Sequence, residues 1–238
     1  MSHRDSLTGS NGTHTAKVQA EVYKLGEWLI RQEGVELLLP EGFFKTPAMK
    51  TQSPPPLFKA ERMTFPEPLD FKILEAKLAD KKSFTNAEIL LKSNYPIVLQ
   101  QVENKKYYDE VRTWIQKLSI CGYLSEEYCQ TKAELDYLQE KRTAVMLQKI
   151  PELMNKEYGE GKIKGSKAIF TIGLSHLPLI LKSLQESKIR IAAPGSIQNK
   201  REDYVADLLL QRNKTQVSIL IPQSLLEDKK ILRLKNLN

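Results

Sequence analysis

Cysteine, histidine and long apolar runs are scarce in this sequence, and each scarcity removes a class of protein. Only two cysteines occur, Cys121 and Cys129. They lie in a helix-rich stretch, match neither a Cys-x-x-Cys metal pair nor a disulfide framework, and read as reduced structural thiols. No stretch approaches the roughly eighteen consecutive apolar residues that a membrane-spanning helix requires, so a soluble chain without a membrane span is expected. Met1 to Gly12 is polar and lacks the apolar core of a secretory signal, which makes the cytoplasm the expected location. Clustered basic charge is missing as well, although the net charge is +7. The pairs Lys81-Lys82, Lys105-Lys106 and Lys229-Lys230 are short, mostly offset by nearby acids and not interleaved with aromatics, so they read as a solvated surface. Nucleic-acid binding through counterion release is the least expected function.

What the chain does have is length and apolar content for a substantial core: 238 residues, 41% of them hydrophobic. A single domain is expected. From Ala16 to Gln32 the residues Val18, Val22, Leu25, Trp28 and Leu29 recur at helical spacing, and Gly34 stops the helix. Val35 to Leu39 follows as a buried strand ending at Pro40. Residues 45 to 68 contain Pro47, Pro54, Pro55, Pro56, Pro66 and Pro68, which excludes regular structure and predicts an extended loop or flap.

Thr85 with Glu88 forms a capping-box pattern that predicts a short helix, broken at Tyr95-Pro96. Helices are predicted over Glu103 to Ser119 and from Ser125 to about Glu157, with a kink at Pro151, so residues from about 84 to 157 form a helical middle section. The last third alternates: strand Ala168 to Ile172, helix Leu177 to Glu186, strand Lys188 to Ala193, helix Gln198 to Arg212, strand Gln216 to Ile221. The sum is an α/β fold with a mainly parallel or mixed sheet flanked by helices and a helical insertion in the middle of the chain.

In such sheets ligands bind beyond the carboxyl ends of the strands. Two polar residues occupy those places, Glu41 and His176. In Gly173-Leu174-Ser175-His176 the glycine turns the chain, Ser175 caps the next helix and His176 projects from its first turn, as a metal ligand, a catalytic base or a hydrogen-bonded structural residue. The histidines are His3, His14 and His176, so any two-histidine site draws on the amino terminus. His14, in Gly12-Thr13-His14-Thr15 ahead of the first helix, is the better candidate.

These motifs occur in an order that resembles the TIKI/TraB group, itself related to ChaN-like and erythromycin-esterase-like proteins. The residues are Gly12-Thr13-His14-Thr15, the strand from Val35 to Leu39 running into Pro40-Glu41-Gly42-Phe43-Phe44, Val102-Glu103-Asn104, Lys141-Arg142, and Ile172-Gly173-Leu174-Ser175-His176-Leu177. The resemblance spans residues 12 to 190, each motif being short. It implies an α/β fold whose cleft is lined by two Gly-x-x-His motifs, an acid and an arginine. Some members of that group resemble metal-dependent peptidases, and others are haem- or pheromone-related.

On this chain the resemblance implies that His14 and His176 are metal ligands or catalytic bases, that Glu41 or Glu103 is the acid, and that Arg142 stabilises an anion. Asn11 stands where the first motif of the family has glycine. Met1 to Thr8 does not read as the strand that the family places before it, so against that resemblance an amino-terminally truncated or wrongly started chain is expected. Two plainer readings compete: Glu103 as a favourable acid in the first turn of a helix, and Arg142 as part of a solvated charge face with Glu134, Asp136 and Glu140.

Three functions follow. The first is a hydrolase-like protein in which His14, His176 and a carboxylate hold a divalent metal whose bound water attacks a carbonyl of a peptide or small molecule. The second is a non-catalytic binding or regulatory member of the same family. The weakest is association of the basic surface with nucleic acid.

Overall fold

The structure, a computed structural model, describes residues 13–45, 67–80, 85–123, 125–194, 202–212 and 215–226. Most of the Pro-rich loop expected over 45 to 68 therefore lies outside the described residues. Helix α1 (Thr13–Glu33) buries Ala16, Val18, Ala20, Tyr23 and Ile30, while Trp28, which the spacing places on the apolar stripe, is 52% exposed. Gly34 ends the helix at φ +64°, a backbone state that costs glycine little. The chain then turns directly into strand β1 (Leu37–Pro40), buried along its whole length.

β1 is the middle of a three-stranded parallel sheet, with β2 (Val98–Leu99) on one side and β3 (Ala168–Thr171) on the other. Leu37 pairs with both Val98 and Ala168, and Pro40 with Thr171. Alternation along β1 sends its leucines into two cores. Leu38 meets α1 together with α2 (Phe71–Ala79) and α3 (Ala87–Asn94), through Ala20, Tyr23, Leu74, Leu78 and Leu91. Leu37 and Leu39 meet Ala144, Met146, Leu147 and Ile150 of α5 (Glu126–Gly159) and Ile180 of α6 (Leu177–Glu186). The long helix α5 contains Pro151 and follows α4 (Lys105–Ile120).

Several predicted elements differ in the structure. β2 and α2 were not anticipated, although Asp70 caps α2 and Leu74 and Leu78 keep its apolar face. The helix expected over Gln198 to Arg212 is replaced, where described, by strand β5 (Glu202–Asp207), antiparallel to β4 (Lys188–Ala192), and a short helix α7 (Leu209–Arg212). Gln216 to Ile221, expected as a strand, belongs to neither sheet, and a last turn of helix α8 (Gln223–Leu226) follows it. Among the described residues the architecture is α/β, a parallel sheet of three strands plus an antiparallel pair, and the parallel strands all present their carboxyl ends on one side. Among the described residues no helix is long and apolar enough to cross a membrane.

Candidate functional site

Glu41 leaves the carboxyl end of β1 with its own N–H bonded to the Thr171 carbonyl at 2.8 Å, so the two strand ends are tied together beneath it. Gly42 follows at φ +73°, a turn that points its N–H at Oε2 of Glu103, 3.2 Å away. The next residues run beside the chain leaving β2. The Lys45 N–H bonds Oε1 of Gln101 at 3.0 Å, Gln101 donates to the Glu103 carbonyl at 3.1 Å, and Phe44 meets Tyr108 edge to face. Burial lowers the Lys45 ammonium pKa, against a partial offset from Glu157.

Glu103 does not enter the helix after it. Asn104 caps α4 by accepting from the Lys106 and Tyr107 amides, which leaves Glu103 in the preceding link. Its carboxylate is fully buried and faces Arg142 of α5, with Nε to Oε1 at 2.9 Å and Nη2 to Oε2 at 2.5 Å. The same Nη2 reaches Oε1 of Glu41 at 2.8 Å, and the Tyr108 ring lies 5.1 Å from the guanidinium carbon. Burial opposes the charge on Arg142, but the hydrogen bond to Glu103 and the charges of Glu41 and Glu103 outweigh it and raise the pKa further. The plain readings of Glu103 as a first-turn acid and of Arg142 as part of a solvated face are both corrected by this burial.

His176 enters from the far side of the sheet. A single 3-10 turn, Leu174–His176, joins β3 to α6, with no side-chain cap at its start or at the start of α6, so Ser175 does not cap. His176 is 2% exposed; its Nε2 lies 3.2 Å from Oε1 of Glu41, and its Nδ1 is hydrogen-bonded to Oγ1 of Thr143. The Gly173 N–H closes the ring by donating to Oε2 of Glu41.

Four of the five residues singled out from the sequence, Glu41, Glu103, Arg142 and His176, therefore form one buried cluster at the carboxyl end of the parallel strands. The fifth, His14, lies in the first turn of α1. The His14 side chain lies outside the described residues. Thr143 was missed, and so were the donor role of Gly42 and the cap role of Asn104, although glycine after Glu41 and asparagine after Glu103 carried a signal as turn and cap residues; Gly173 was read as the turn but not as a donor to Glu41.

The cluster does not fit a divalent metal as its described members stand. Every carboxylate oxygen of Glu41 and Glu103 already faces at least one donor, and both ring nitrogens of His176 are engaged. The guanidinium supplies cationic charge between the two acids. Among the described residues no group of three His, Cys, Asp or Glu side chains is arranged to hold a metal ion. What the arrangement brings together instead is an imidazole–carboxylate pair, His176 with Glu41, beside a guanidinium held by two carboxylates. The bonds above use Nε and Nη2 of Arg142, and Nη1 takes no part in them.

No protein-family model matches the chain, and no curated protein or solved structure does either.

Proposed function

We propose that this cluster is the reaction centre of a hydrolase-like protein that acts on a carbonyl of a peptide or small molecule. The observation that carries the reading is the buried His176–Glu41 pair beside Arg142 at the carboxyl ends of parallel strands, where α/β proteins place their ligands. The motif order resembling the TIKI/TraB group supports it. The His176–Glu41 pair is the proton-transfer unit, taking a proton from the attacking water and returning it to the leaving group. Arg142 donates from Nη1 to the carbonyl oxygen as negative charge grows on it, while Glu103 holds the guanidinium in place. No step runs through a metal, because the described side chains that would ligate it are committed to one another.

A second reading has an observation of its own. A network so fully satisfied internally also suits a non-catalytic binding protein, in which these residues only hold loops together. The test is hydrolysis of a panel of esters, lactones and short peptides by the purified full chain and by His176→Gln. The hydrolase reading expects turnover by the natural chain that falls by about 10²–10⁴ in the variant, the range typical of removing an acid–base group. Turnover of nothing in the panel, or equal turnover by both proteins, would select the binding protein.

A further inference from the structure

Arg142 and Thr143 are consecutive on α5, and one helical step of about 100° turns one toward the carboxylates and the other toward His176. Thr143 is 1% exposed, and its Oγ1 lies 2.8 Å from the Gln139 carbonyl one turn earlier. A carbonyl only accepts, and a threonine hydroxyl has a single proton to give. That proton is spent on Gln139. What Thr143 then presents to Nδ1 of His176 is a lone pair, so the nitrogen facing it is the donor.

On the opposite edge of the ring, Nε2 faces a carboxylate oxygen that already accepts from Arg142. We infer that Thr143 is a positioning residue that fixes a proton on Nδ1 of His176 and so confines the exchangeable proton to the Nε2–Glu41 edge. The imidazole is held between two acceptors, one on α5 and one beyond β1, and cannot turn over by 180° without placing a C–H against each. The consequence for catalysis rests on the hydrolase reading above: the edge that trades protons with substrate is the Glu41 edge. The hydrogen-bond assignment itself does not depend on any activity.

The test is nitrogen NMR of the full chain labelled with ¹⁵N-histidine, using two-bond couplings to the ring protons to tell a protonated from an unprotonated nitrogen. There are only three histidines to separate, and removing His3 and His14 in turn identifies the third. The natural protein is expected to show a protonated Nδ1 in His176. Thr143→Val, which keeps the shape but removes the acceptor, is expected to move the ring toward the form protonated on Nε2 alone, and Thr143→Ser to restore the natural pattern. An unprotonated Nδ1 in the natural protein overturns the inference, and so does a Thr143→Val spectrum identical to it. Should the valine variant not fold, the natural spectrum alone decides. Because the spectrum needs no substrate, its outcome is separate from that of the hydrolysis panel.

Discussion

At the scale of single residues, burial decides which charges do chemistry and which only cost stability. Glu140, one turn before Ala144 on α5, has its carboxyl pKa raised by burial, with Lys182 opposing and Asp136 adding to the shift. A raised acid binds its proton more tightly when folded than when unfolded. Its cost is therefore absent below the usual carboxylate range and fully present above the folded pKa. Glu140→Gln is expected to raise the melting temperature at neutral pH, with the gain vanishing as the pH is lowered through that range. A gain that is equal at acid and neutral pH would contradict the assignment.

Glu41 and His176 were legible in the sequence because each follows a strand at a turn glycine. Glu103 and Arg142 were legible only through motif order, since an acid ahead of a helix and an arginine among acids each have a commonplace explanation. Thr143 was invisible: mid-helix threonine reads as filler, and nothing local reveals a histidine that arrives from 33 residues further along the chain.

At the scale of elements, local signals placed α1, α3, α4, α5 and α6, with their ends less well, but missed α2 and misread the segment of β5. The capping pattern at Thr85 and Glu88 is displaced by one residue, because Asn86 accepts from the Ile89 amide at 2.8 Å and Glu88 turns inward. Asn86→Ala is expected to cost about 1 kcal/mol, the usual value of a lost N-cap, measured by urea unfolding. A change near zero would mean that another group takes over the amide.

The misread segment around 202 to 207 shows the limit of local propensity. Glu202 to Asp207 pairs with β4, whose Ile189 and Ile191 are fully buried, and Tyr204 packs against the core they belong to. Strand preference depends on such cross-strand and same-face neighbours, which a single segment does not contain. β2 escaped notice for a similar reason: two residues become a strand only because Val98 and Gln100 donate their amides to Glu36 and Leu38.

At the scale of the molecule, the site exists only when the sheet does. Its side chains come from the ends of β1 and β3, the link after β2 and the middle of α5, and the ion pair between Glu41 and Arg142 closes a loop of 101 positions. Leu39, fully buried two residues before Glu41, anchors that arrangement in the core shared with α5. Leu39→Ala is expected to cost about 2–5 kcal/mol in urea unfolding, the range for a buried leucine in a rigid core. A loss under about 1 kcal/mol would show that β1 is not the central support.

The central claim is that these four segments assemble a reaction centre around a fixed guanidinium. It is tested most directly by the turnover of Arg142→Lys on whichever ester, lactone or peptide the natural chain hydrolyses. Lysine keeps the charge that neutralises Glu41 and Glu103 but loses the planar fork and the extra donor. The expected result is a folded variant whose turnover falls by about 10²–10³, the loss typical of one donor to a developing oxyanion. A folded Arg142→Lys protein with undiminished turnover would contradict it.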